Sequence, residues 1–174
     1  MKRLTTNKSF LVGLGIVAVL LFLSFTAPLI APYNPDEQNL QNTLQSVSFK
    51  HPLGTDEFGR DILSRIFYGT KITLTIVVFS VLLGGIVGCI FGVFAGYLGK
   101  YVDLVLMRLM DIPLAFPGML LSLAIVEIVG KGILGVILAT SIYSIPQFAR
   151  VVRASILSTR ESLYVKGARV LGES

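Results

Sequence analysis

Four apolar runs, 10–31, 72–97, 104–128 and 133–152, account for most of this chain, and the first two carry no charged side chain. A helix needs roughly 20 apolar residues to cross a hydrocarbon core about 30 Å thick. An open strand edge cannot be hydrogen-bonded in lipid. The runs therefore predict an all-α, polytopic transmembrane helix bundle, with the lipid bilayer as its first partner. Composition agrees: 53% of residues are hydrophobic and 14% charged, against about a quarter charged in soluble domains.

Charge sets the expected orientation. The fifteen Lys and Arg residues lie at the ends of apolar runs and form no basic stripe, which excludes a nucleic-acid partner. With the N-terminus inside, ten of them, Lys2, Arg3, Lys8, Lys100, Arg108, Arg150, Arg153, Arg160, Lys166 and Arg169, fall on the cytoplasmic side. The predicted organisation is one domain: a cytoplasmic N-terminus (1–9), a helix at 10–31, an external loop at 32–71, helices at 72–97, 104–128 and 133–152, and a cytoplasmic segment at 153–174. The first run is longer than a signal-peptide core and lacks an A-x-A site, so it reads as a retained helix. Pro28, Pro32 and Pro35 close it. The chain stops directly after a helical-looking segment, which reads as a truncated polypeptide.

The external loop holds HPLGTDEFGRDILSR at 51–65. Thr55 and Asp56 after Gly54 suit a helix start, and Asp61 stands four residues before Arg65. The spacing predicts an amphipathic helix over about 55–68, with Phe58, Ile62, Leu63, Ile66 and Phe67 on one side. In the second run Gly84, Gly88, Gly92 and Gly96 recur every four residues, a stripe suited to close helix packing. In the third, Arg108 and Asp111 are spaced to pair, while Pro113 and Pro117 remove backbone donors, making 111–117 a candidate flexing or gating element. Glu127 and Lys131 read as an interfacial pair. The single histidine, His51, reads as a structural or solvated residue, and the single cysteine, Cys89, supports neither a disulfide nor a metal site.

No G-x-x-x-x-G-K-[ST] occurs, nor H-E-x-x-H, nor a nucleophile elbow. The chain is expected to be non-catalytic, with no cofactor or metal of its own.

HPLGTDEFGRDILSR followed by YGTKITL (68–74) resembles the outer-face signature of the inner-membrane permease subunits of ATP-binding-cassette importers for dipeptides, oligopeptides and nickel. The resemblance continues in order through APYNP (31–35), GYLGKYVD (96–103), DIPLAFP (111–117) and IPQFARVVRASIL (145–157). SLYVKGARVLGES (162–174) is similar to the start of the family's coupling loop, approximately YVEAARALGAS, at Tyr164, Val165, Ala168, Arg169, Leu171, Gly172 and Ser174. Lys166 stands where the family has glutamate, and Gly167, Val170 and Glu173 replace alanines.

The resemblance implies an importer permease in a bacterial or archaeal inner membrane. Its partners would be a second homologous permease, two ATPase subunits that carry ATP and Mg, and an extracytoplasmic solute-binding protein. It implies ATPase coupling through Tyr164, Ala168, Arg169, Leu171 and Gly172, and an external docking or cap helix built on Gly54, Asp56, Gly59, Arg60, Asp61 and Arg65. The cargo is expected to be a di- or oligopeptide, with nickel or another small solute as the alternative. From the residues alone, an ion-coupled transporter or channel and a non-transporting scaffold stay open.

Overall fold

A computed structural model describes residues 8–172, without the side chains of 168–170. Six α-helices follow one another: α1 (Lys8–Ile30), α2 (Ile62–Leu98), α3 (Lys100–Leu114), α4 (Gly118–Val129), α5 (Ile133–Arg160) and α6 (Leu163–Val170). A single 3-10 turn, Leu40–Asn42, lies in the long connection before α2, and no strand occurs among the described residues. By length and composition α1, α2 and α5 each suffice to cross a membrane. The pair α3 and α4 makes a fourth passage if taken together. The chain divides into two compact units, 1–75 and 76–174.

In the first unit the helix expected over 55–68 does not form as a separate element. Residues 55–61 make a tight loop instead, joined by a bridge between Thr55 and Asp61, and helical structure begins at Ile62 as the first turns of α2. The backbone explains the correction. Asn39 N donates to Phe58 O, Leu44 N to Asp56 O and Thr55 N to Gln45 O, so 55–58 is committed to pairing with 39–45. Gly54 and Gly59 hold φ of 78° and 70°, values that end a helix and that other residues seldom adopt. At 37 residues α2 spans about 55 Å at 1.5 Å per residue, well beyond the hydrocarbon core. The charged residues of α2, Arg65 and Lys71, both lie within its first ten residues.

The second unit is organised by α5. Gly84, Gly88, Gly92 and Gly96 of α2 are all buried, and the α5 side chains nearest to them advance in step: Ser144, Phe148, Val152 and Ile156. The two helices therefore run parallel, their C-terminal ends on one side of the unit. Ser80 and Ser141, both buried, join them near the other end, Ser80 Oγ donating to Ile137 O at 3.3 Å and Ser141 Oγ lying 3.3 Å from Ser80 O. Small residues and satisfied hydroxyls are what a helix pair needs where lipid gives no hydrophobic drive for association.

The run 104–128, predicted as one helix, is two, bent by 89° between Leu114 and Gly118. Pro117 has no N–H to continue the ladder and its ring crowds the carbonyl four residues back, while Phe116 before it is pushed out of helical backbone. Pro113, by contrast, lies inside α3 without ending it. Gly118 lets α4 start hard against α5: a Cβ there would stand 3.1 Å from the Tyr143 ring.

Candidate functional site

Three clusters contain the residues singled out from the sequence. The first is the connection leading into α2. Asp61 is its hub, with 2% of its surface exposed. One carboxylate oxygen accepts from the Ser64 amide at 2.8 Å and the Ser64 hydroxyl at 2.7 Å, making Asp61 the N-cap of α2. The other faces His51 Nδ1 at 3.0 Å. Burial raises the pKa of Asp61. The hydrogen bonds from His51 and from the Ser64 amide and hydroxyl outweigh it and hold the carboxyl below its ordinary value. His51, itself buried, stacks at a tilt on Tyr33.

The predicted Asp61–Arg65 pair is thus replaced. Arg65 Nη1 instead lies 3.5 Å from Asp56, whose carboxylate also accepts from Arg60 Nε at 2.7 Å and from the amides of Phe58 and Arg60. These bonds hold the Asp56 carboxyl below its ordinary value although burial acts the other way. Of the six residues assigned to an external face, Asp56, Arg60 and Arg65 come together, Gly54 and Gly59 shape the loop, and enclosed Asp61 offers no surface for docking. Beside them an open cleft of about 710 Å³ is lined by 31–37 together with Arg65, Tyr68, Gly69 and Ile72.

Thr55 fixes the loop from inside, its hydroxyl donating to Asn42 O at 2.5 Å and accepting from Gln45 N at 2.9 Å. Thr55→Val keeps the shape and strands both partners. It is expected to cost about 1–3 kcal/mol, read as faster hydrogen exchange at 39–45 without loss of helix content.

The second cluster joins α3 to α5. Arg153 grips Asp103 with Nε and Nη2, and Arg150 Nη2 lies 2.6 Å from Asp111. Arg108 is the weaker neighbour of Asp111, at 3.8 Å and largely exposed. Asp111 and Pro113 thus belong to the end of α3, and Pro117 to the corner beyond it. No ion pair joins Glu127 to Lys131 among the described residues.

The third is α6, set off from α5 by Glu161 and Ser162 alone. Leu163, Tyr164 and Leu171 are exposed, and Gly172 at φ 90° ends the segment. Ala168 and Arg169 lie outside the residues whose side chains are described. Among the described residues no group of His, Cys, Asp or Glu is placed to hold a metal ion.

This order of elements, a bent pair, a long helix and a short amphipathic one after it, falls in a segment with recognised kin. Residues 88–174 match the family described as the binding-protein-dependent transport system inner membrane component. The chain belongs to that family. Residues 1–50 match a second description, the N-terminal transmembrane domain of oligopeptide transport permease C. Relatives of this chain include the dipeptide transport system permease protein DppC of Alkalihalophilus pseudofirmus, 39% identical over 171 residues, or 98% of this chain and 56% of the relative. The glutathione transport system permease protein GsiD of Pectobacterium atrosepticum is 41% identical over 157 residues, 90% of this chain and 52% of the relative. The di/tripeptide transport system permease protein DppC of Pseudomonas aeruginosa is 38% identical over 172 residues, 95% of this chain and 57% of the relative. The chain spans about half the length of the curated relatives it matches. As an inner-membrane component of this family with several membrane-spanning helices, it is a multi-pass membrane protein.

The long-range pairs His51–Asp61, Asp103–Arg153 and Asp111–Arg150 were not found by sequence reasoning. The signal available for the last two was an acid spacing of eight on α3 facing an arginine pair on α5.

Proposed function

We propose that this permease forms part of the membrane path of an ATP-driven peptide importer. One half of that path would come from it and the other from a second, homologous permease. The observation that carries the reading is 39% identity, over nearly all of this chain, with a dipeptide permease. Di- and tripeptides and glutathione in the names of its relatives support short peptides as the cargo class.

The N-terminus faces the cytoplasm in this reading. Its support is that α2 and α5 run parallel, so Lys100, Arg150, Arg153, Arg160 and Lys166 gather at one end of the second unit, where the positive-inside rule expects them. At that end α6 and the turn after it offer Leu163, Tyr164 and Leu171 to a groove on an ATPase subunit, and the short Glu161–Ser162 corner hands any displacement to α5. The chain itself catalyses nothing: ATP and Mg belong to two ATPase partners, and a solute-binding protein delivers cargo on the side of the 31–61 connection. Alternating access follows when ATPase closure moves α6 and the permease pair changes the side on which it opens.

The test is purification from native membranes. An ATP-binding-cassette ATPase is expected to accompany the unsubstituted chain and to be lost from Gly172→Val, whose side chain is forced into left-handed backbone at the end of α6. Energised vesicles containing the whole assembly should accumulate dipeptide only with ATP. Accumulation without ATP would overturn the reading.

A further inference from the structure

Two helices, α2 and α3, meet at a single residue, Gly99, which holds φ of 79° and accepts from Asp103 N at 2.8 Å. Both sides of this joint are fastened to α5 by arginine. On the α2 side, Arg160 Nη1 donates to Gly96 O at 2.9 Å and lies 3.3 Å from Tyr97 O. These carbonyls are among the last four of α2, which have no partner within the helix and carry the negative end of its dipole. On the α3 side, Arg153 Nε and Nη2 take both oxygens of Asp103, in the first turn of α3. Arg153 and Arg160 are seven residues apart on α5, two turns, so they share one face. Packing locks the same place: a Cβ on Gly96 would stand 2.9 Å from Ile156.

The far side of this corner is α6. Ser162 N and Oγ both donate to Thr159 O, and Lys166 N to Ser162 O, so α5 turns into α6 without a flexible linker. Apolar packing does not fill the space between them. Val165 of α6, with Val93, Tyr97, Val152 and Ile156, lines an open groove of about 510 Å³, and Arg160 lines it too.

We propose that Arg160 and Arg153 are transmission residues, positioning side chains that tie the α2–α3 joint to α5 so that a displacement of α6 reaches three helices together. The proposal rests on the reading of α6 as the contact with an ATPase. At Arg153 the planar fork holds both carboxylate oxygens at fixed geometry, which an ammonium group on a flexible stem does not, while at Arg160 one guanidinium nitrogen, Nη1, reaches both carbonyls. Without these ties α5 slides past Gly99, and hydrolysis no longer drives the change of access.

The test uses the complete transporter, this permease with its second permease, ATPases and binding protein, in proteoliposomes where ATP hydrolysis and dipeptide uptake are measured together. Arg160→Gln is expected to hydrolyse ATP within about twofold of the unsubstituted assembly while uptake per ATP falls about tenfold, with Arg160→Lys between them. Arg153→Glu is expected to uncouple in the same way, and the swapped pair Arg153→Glu with Asp103→Arg to recover most of the ratio. Uptake per ATP unchanged in Arg160→Gln, or hydrolysis and uptake falling in parallel, overturns the proposal. Should Arg160→Gln fail to assemble, the swap decides alone: recovery supports transmission and no recovery overturns it. Failure of the underlying functional reading shows separately, as ATP-independent uptake by the unsubstituted assembly, and removes the proposal with it.

Discussion

Gly88→Leu is expected to abolish accumulation of folded permease, and Gly88→Ala to lower its stability by about 1–3 kcal/mol. Even a methyl group on Gly88 would stand 2.7 Å from both Ile145 O and Phe148 Cβ. One neighbour is backbone and the other the first carbon of its side chain, fixed to the backbone, so neither relieves the clash by rotating. Gly92 is similar, against Ala149 O at 2.6 Å and Val152 Cβ at 2.8 Å. In lipid the loss is not offset by water release elsewhere, since the association of α2 with α5 depends on close backbone approach and on the Ser80 and Ser141 hydroxyls. Gly85, one residue from Gly84 in the same helix, is the internal control: its Cβ would meet the Phe148 ring at 3.9 Å, an ordinary contact. Gly85→Ala is expected to be neutral or slightly stabilising, by removing glycine from a helix interior. Thermal unfolding of detergent-purified protein followed by size-exclusion monodispersity reads the two alanine variants, and the yield of monodisperse protein reads Gly88→Leu. Equal behaviour of Gly85→Ala and Gly88→Ala would count against a packing role for the stripe.

What was legible in the sequence is what repeats along one helix. Uninterrupted apolar runs give α1, α2 and α5, and a four-residue glycine period shows which side of α2 meets a neighbour, because both are properties of consecutive residues. The neighbour itself was not legible. Nothing in Gly88 names Phe148, and nothing in Asp103 names Arg153 fifty residues on, since such pairs are set by how helices come together and not by spacing within one. The loop before α2 misled for a related reason. Its apolar residues have helical spacing from Phe58 to Phe67, yet the amides and carbonyls of 55–58 pair with 39–45, a preference that periodicity does not record. The two prolines of the third run look alike in sequence, and only Pro117 breaks the helix. The segment 162–174 was visible as an order of residues, while the placement of α6 depends on the corner at Glu161 and Ser162.

Asp61→Ala is expected to open the connection between α1 and α2, with a local cost of about 3–5 kcal/mol. A buried carboxylate that ties three stretches of chain together has no substitute nearby. Tyr33 N donates to Ser64 Oγ, Ser64 Oγ donates to Asp61, and His51 contributes from 51, so removal strands the Ser64 amide and the imidazole inside the loop and uncaps α2. Asp61→Asn keeps one acceptor and loses the charge. Its amide must turn a donor toward either His51 or Ser64, and the expected cost is smaller, about 1–3 kcal/mol. The pH dependence follows from the direction of the Asp61 pKa. Because the folded value lies below the unfolded value near 3.8, the unfolded chain takes up the proton first as pH falls. The contribution of the carboxylate is therefore fully present above 3.8, declines below it, and is gone once the pH has passed the folded value. Limited proteolysis of residues 31–61 in intact vesicles, with a neutral protease at neutral pH and an acid-active one below about pH 5, should show rapid cleavage of Asp61→Ala at neutral pH. The unsubstituted chain should be protected at neutral pH and lose protection only below about pH 3.8. Equal protection of Asp61→Ala and the unsubstituted chain at neutral pH would mean that the hub does not hold this connection, and α2 would then need another explanation for starting at Ile62.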